Sequence, residues 1–202
     1  MSAVLAPVYS DLRDKVLLSE TPTLMQPRFG TLPPPPLNKH RFIVGYDGLY
    51  IEVGTAVLEC RLRVSKSDIA LPYGTIKSGF RLVHGEIPLS LYDTVRERVK
   101  QDCPNEWAGL IVWSQSRQQY ELFEPTVFSR SPSHISYDRS LVDDLQLVVD
   151  IHSHGAGSAY FSPTDDASED GIYIAEVFGD CHKETPALVS RFVINGVFIE
   201  NF

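Results

Sequence analysis

The chain predicts an α/β fold with a mixed, largely antiparallel sheet, few helices and a β-rich N-terminal extension. Three observations carry that expectation. Apolar residues recur at every second position in short runs: Leu145, Leu147, Val149 and Ile151 alternate with Gln146, Val148, Asp150 and His152, the period of a strand buried mainly on one face. Turn dipeptides punctuate such runs, Asp47-Gly48 and Asn195-Gly196 being hairpin signals. Helical spacing is confined to a few stretches. No Gly-x-Gly-x-x-Gly or phosphate loop stands at a strand–helix junction, which excludes a nucleotide-binding fold.

Taken in order, residues 1–20 hold a short amphipathic segment with Val4, Leu5, Val8, Leu12, Val16 and Leu17 as its apolar positions. Residues 21–40 are rich in proline, including Pro33 to Pro36, and read as an extended linker or strap. From Arg41 the character changes. Phe42 to Tyr46, Asp47-Gly48 and Leu49 to Val53 predict a hairpin, and Ala56 to Val64 a third strand with Leu58, Cys60, Leu62 and Val64 on one face. The expected division is therefore 1–40 as terminal segment and linker, 41–80 as a small β-rich subdomain or sheet extension, and 81–202 as the main domain. Within the last, a strand is expected near 81–87. Leu91, Val95 and Val99 among charged residues predict a helix over 89–102, ended by Pro104. Strands follow at 107–113 and 119–124, then a polar segment from Ser129 to Asp144 and the strand ending at His152. A helix is expected to begin near Ser162. Ile172 to Phe178, Leu188 to Ile194 and Val197 to Glu200 complete the set as strands.

The run His152-Ser-His-Gly-Ala-Gly-Ser-Ala-Tyr-Phe-Ser-Pro-Thr-Asp165 carries the chemistry. His152 and His154 share parity, so both imidazoles leave one side of the chain at a strand end. Gly155 and Gly157 allow a sharp turn into a loop. Ser162-Pro-Thr-Asp165 read alone is an ordinary helix start, with Ser162 as N-cap and Pro163 at the first helical position. Combined with the histidines, it brings Asp165 back to them. Two imidazoles and one carboxylate form a three-ligand zinc site with one position left open, the catalytic arrangement. A proton acceptor is also needed. Glu106, in Pro104-Asn-Glu-Trp-Ala-Gly-Leu-Ile111, sits at the mouth of a short apolar strand; read alone it is a surface glutamate in a turn.

With these segments on the page, the chain resembles the JAMM/MPN+ (JAB/MPN/Mov34) zinc metallopeptidases. Their pattern is a strand-entry glutamate followed by His-x-His-x7-Ser-x2-Asp. The resemblance covers roughly residues 83–202 and includes a closing hairpin like Arg191-Phe-Val-Ile-Asn-Gly-Val-Phe-Ile-Glu200. One departure is Gly155, where many relatives carry proline. The resemblance implies an MPN/JAB-like (cytidine-deaminase-like) sandwich and a catalytic domain over 81–202. It implies Zn²⁺ held by His152, His154 and Asp165, with water in the fourth position. Glu106 would act as general base and then acid, and the Ser162 hydroxyl would stabilise the oxyanion. The implied reaction cleaves after the C-terminal tail of a ubiquitin-like protein, by deconjugation or precursor processing. Prokaryotic deubiquitinase-like proteins of ubiquitin-like operons, of PRTRC or antiviral type, are the nearest in kind. Activating-enzyme-like and conjugating-enzyme-like proteins are the implied further partners.

Composition sets outer bounds. A formal net charge of −8 over 202 residues argues against non-specific nucleic-acid binding, which relies on basic patches. No apolar run is long enough to span a bilayer and no basic-then-apolar leader opens the chain, so a cytoplasmic protein is expected. Cys60, Cys103 and Cys181 are odd in number and widely spaced, which suggests neither a disulfide framework nor a zinc knuckle; Cys181-His182 reads as a turn. Two other function classes stay open: a non-catalytic scaffold of the same fold that binds partner proteins, and a zinc amidohydrolase acting on another peptide.

Overall fold

The computed structural model describes residues 11–200, so Val4, Leu5 and Val8 of the amphipathic segment lie outside the described residues. The remainder of that segment is helical. Helix α1 (Leu12–Glu20) starts at Asp11, whose side chain accepts a hydrogen bond from the Arg13 amide, but Leu12, Val16 and Leu17 stay exposed. The chain divides into two compact units, Met1–Gly54 with Cys60–Phe80 and Thr55–Glu59 with Arg81–Phe202.

A five-stranded sheet runs in the order β1 (Thr23–Met25), β2 (Lys39–Gly45), β3 (Gly48–Gly54), β4 (Leu58–Lys66) and β5 (Gly79–Leu82). The β2–β3 hairpin turns at Tyr46-Asp47, because Gly45 pairs with Gly48, one residue earlier than the expected Asp47-Gly48 turn. On β4, Leu58, Cys60 and Leu62 are buried as their shared parity requires. Glu52 is buried between two arginines: Arg41 Nε donates to one carboxylate oxygen at 2.6 Å and Arg61 Nε to the other at 2.7 Å. Two expectations need correction. Residues 23–25, inside the proline-rich stretch, form a strand parallel to β2; three residues are too few to display a period. The strand expected near 81–87 ends at Leu82, where the chain turns through Gly85 at φ +89° toward Pro88.

The second unit is built on a six-stranded sheet in the order β13-β12-β11-β10-β6-β7. Its strands are β6 (Ala108–Ser114), β7 (Gln119–Phe123), β10 (Leu145–Ser153), β11 (Ile172–Gly179), β12 (Ala187–Ile194) and β13 (Val197–Glu200). Neighbours pair antiparallel except β10 and β11, which run parallel. Leu110, Ile111, Val149, Ile151, Val177, Phe192 and Ile194 are fully buried in it. Helix α2 (Leu89–Asp102) takes the predicted bounds and buries Val95 and Val99, one turn apart. The polar segment after β7 is not all loop: it folds as the hairpin β8 (Val127–Ser131) and β9 (His134–Tyr137). Its strands are short and have no buried face, so no period reveals it.

Where α2 meets β11 the sheet buries an acid. Glu176 is 6 % exposed and one of its oxygens accepts from the Tyr92 hydroxyl at 3.1 Å and the Ser190 hydroxyl at 3.3 Å. Burial pushes it from 4.5 up to about 7, against the lowering pull of those two hydroxyls. A carboxyl whose pKa is raised by folding stabilises fully below its unfolded value, and that contribution disappears as pH rises through the folded value. The neutral isostere Glu176→Gln should therefore match wild type near pH 4 and exceed it at pH 8 by up to about 3 kcal/mol. Denaturant unfolding of both proteins at the two pH values measures this. A stability difference that does not vary with pH would remove the account.

Candidate metal centre

A parallel strand pair cannot be joined by a tight turn, so residues 154–171 cross over from β10 to β11. That crossover carries the motif. Two anchors fix the strand end: the Ser153 amide donates to the Trp107 carbonyl at 2.8 Å, and the His154 amide to the Phe178 carbonyl at 2.8 Å. The loop then presses closely on its neighbours. Gly155 adopts φ +52°, and a Cβ there would lie 2.1 Å from the Pro104 carbonyl oxygen. The Cys181 amide donates to the Gly155 carbonyl at 2.9 Å from the other side. Proline, confined to φ near −65°, could not take this conformation. The departure at Gly155 thus sets the path of the loop as well as its stiffness. Beyond it, helix α3 (Pro163–Ser168) begins at Ser162 with a complete capping box.

His152, His154 and Asp165 come together, each offering one donor atom, all within 4.8 Å of one another. The imidazole centroids are 5.3 Å apart, and His152 Nε2 lies 3.4 Å from one Asp165 carboxylate oxygen, Oδ1. The other, Oδ2, is occupied locally, accepting from the Ser162 amide at 2.6 Å and the Ser162 hydroxyl at 2.7 Å. His154 Nδ1 sits 3.1 Å from the Ser158 carbonyl, which assigns that nitrogen the proton and leaves Nε2 as a donor atom. Tyr160 packs edge-on against the His154 ring at 4.6 Å. Burial pushes His152 down to about 4, so the imidazole is neutral, the form that ligates.

A divalent cation of the zinc kind fits these residues. His152 Nε2 is buried without a hydrogen-bond partner, an unmet acceptor that a cation would satisfy. Two imidazoles and one carboxylate oxygen form a mixed donor set of the sort zinc accepts, with room for a further ligand.

The three residues line a cavity of about 650 Å³ together with Glu106 and Ser162. Glu106 is buried, not the surface residue its local sequence suggests, and its amide donates to the Ser131 carbonyl at 3.0 Å. Burial first, and the negative charge of Asp165 second, push its carboxyl up to about 7. The turn of the β8–β9 hairpin and strand β9, from Pro132 to Tyr137, supply one wall, and His134 there is exposed. Cys103 and Cys181 are not among the cavity's lining residues.

Several residues around the cavity went unassigned at the level of sequence. Asp150, two positions before His152 on the same strand face, accepts from Tyr137 Oη at 2.8 Å and lies 3.2 Å from Arg139 Nη1. Burial raises it above the usual carboxylate range, while Tyr137 and Arg139 pull it back. Arg139 also donates to Tyr173 Oη at 2.7 Å and to the Ser168 carbonyl. Period-two parity from His152 could have flagged Asp150; nothing local flags Arg139, Glu169 or Arg191.

The second unit thus combines a mixed sheet with two histidines at a strand end and an aspartate at the start of the following helix, a candidate metal centre in an α/β protein. Residues 88–192, just over half of the chain, match the family described as prokaryotic homologs of the JAB domain, and the chain belongs to that family. Residues 11–83 match a domain of unknown function, DUF2016. Among solved structures, the chain is similar to the solution structure of a Desulfitobacterium hafniense protein, at 16 % identity and a TM-score of 0.44, over 57 % of this chain and 88 % of that one. Comparison with curated proteins gives no match. Among the described residues, no helix is long and apolar enough to cross a membrane.

Proposed function

We propose that this chain is a JAMM-type zinc peptidase acting in the cytoplasm after the C-terminal tail of a ubiquitin-like protein, as a deconjugating or precursor-processing enzyme. The observation that carries the reading is the convergence of His152, His154 and Asp165 on the cavity that Glu106 also lines. Zinc held by those three residues would supply Lewis acidity toward water and a carbonyl oxygen. Glu106 takes the proton of the attacking water on its carboxylate. The water oxygen bonds to the carbonyl carbon, the C–N bond breaks, and Glu106 returns the proton to the departing amine nitrogen. A carboxyl raised to about 7 is matched to both halves of that transfer. No acyl-enzyme forms, so the cysteines are spared; burial also holds the Cys181 thiol up at about 11, far from a ready nucleophile.

Ser162 has two jobs in this scheme. In the resting arrangement its hydroxyl donates to Asp165 and steadies that carboxylate. To serve the oxyanion, it must release that bond and turn toward the substrate. His154 is oriented by Ser158 and shielded by Tyr160, and the β8–β9 hairpin offers the wall along which an extended tail would run.

Zinc content tests the reading without any guess about substrate. Freshly purified wild type is expected to hold about one zinc per chain, since the site has three protein ligands. His154→Ala and Asp165→Ala are expected to lose it while remaining folded. Wild type that takes up no zinc, even when zinc is offered, would leave the scaffold role of the same fold in its place.

A further inference from the structure

We infer that Arg191, on β12, is a positioning residue for the metal centre: it clamps α3 onto the sheet and so sets where Asp165 stands. The inference rests on the zinc reading above. Its starting point is the weakness of α3 by itself. A helix of six residues is not stable in isolation, and none of its residues is buried. Apolar packing therefore does not seat it, yet Asp165 must return to two histidines on a different element.

The seat is made by one cation. Arg191 is 2 % exposed, and its guanidinium reaches two acids around α3. Nη1 donates to Asp166 at 2.6 Å; Nε donates to Glu169 at 2.9 Å, and Nη2 lies 2.8 Å from that same oxygen. The plane is held between two aromatic rings, its carbon 4.0 Å from the centroids of both Phe161 and Phe198. Phe161 precedes the cap Ser162, and Phe198 lies on β13, so the stack joins the crossover to the sheet. Asp166 follows the ligand directly and Glu169 closes the helix, with its amide bonded to the Asp165 carbonyl at 2.9 Å. The guanidinium thus grips α3 beside the ligand and one turn beyond it. A planar fork that can bond two carboxylates while stacking is specific to arginine. Burying an arginine costs free energy unless carboxylates offset it, and here both carboxylates, Asp166 of α3 and Glu169 at its C-cap, belong to the segment that carries Asp165; Nη2 has the ion pair with Glu169 but no hydrogen bond of its own.

Groups that orient metal ligands from behind typically set affinity by about 10–100-fold. Zinc dissociation constants, measured by competition with a chromophoric chelator, should rise by that factor in Arg191→Met and by a smaller one in Asp166→Asn. Asp166 is half exposed, so its variant removes the grip with little disturbance of the fold. Cobalt(II) loading adds a readout that mere destabilisation would not move. The visible spectra of both variants should depart from that of the wild-type cobalt protein, because a displaced carboxylate changes the ligand field while the histidines remain. Circular dichroism of the metal-free proteins reports folding; should Arg191→Met fail to fold, Asp166→Asn decides alone. A folded variant with wild-type zinc affinity and wild-type cobalt spectrum overturns the inference. Wild type that binds neither metal removes the zinc reading itself, a distinct result.

Discussion

Glu106→Gln is expected to lower cleavage by about 10²–10⁴-fold while leaving zinc stoichiometry at the wild-type level. The carboxylate is proposed as an acid–base group, and the three residues that converge as a metal group do not include it. Glutamine keeps the shape and the hydrogen-bonding amide while losing the ability to accept and return a proton. The Glu106 backbone amide, bonded to Ser131, is untouched by the change, so the hairpin wall should hold its place. A ubiquitin-like protein fused through its C-terminal tail to a reporter gives the turnover readout, and metal analysis of the same samples gives the second. Loss of zinc alongside activity would make Glu106 a ligand and the role assignment wrong. Full activity with zinc retained would place the base elsewhere.

Gly155→Ala tests the loop that carries the second histidine. Alanine at φ +52° meets the left-handed penalty of roughly 1–2 kcal/mol, and its Cβ would also lie 2.1 Å from the Pro104 carbonyl oxygen. Backbone cannot swing aside as a flexible side chain can, so either the loop or the segment leading to Glu106 must move. The expected result is a loss of about 3 kcal/mol or more in unfolding free energy, together with weakened zinc retention, because His154 is the adjacent residue. Gly79→Ala is a matched control, since a Cβ there meets nothing within 4 Å. Denaturant unfolding and zinc titration of the pair would settle the point: equal behaviour of the two variants would mean that the conformation at Gly155 is dispensable.

Both predictions concern residues whose importance the sequence exposes unevenly. His152 and His154 share strand parity, and Ser162 with Asp165 forms a capping box, so the metal group follows from local rules once the two halves are read together. The hairpin at Asn195-Gly196 and the helix Leu89–Asp102 were legible for the same reason: each is specified by residues adjacent in the chain. The β8–β9 hairpin was not, because neither of its short strands has a buried face to impose a period. Strand β1 was missed because three residues beside a proline run pair with β2 at a distance in sequence.

What the sequence by itself determined is the inventory: a sheet-rich α/β chain, the three metal-binding candidates, and the glutamate at a strand mouth. Those rest on periodicity, capping and spacing, which act over a few residues. The tertiary structure alone decided that Glu106 is buried with its carboxyl raised to about 7, since that shift comes from desolvation and from Asp165, remote in sequence. It decided likewise that Asp150 is held by Tyr137 and Arg139, and that Arg191 grips the helix bearing Asp165. Burial and charge pairing depend on which segments the sheet brings together, and no local pattern encodes the partner of a buried charge.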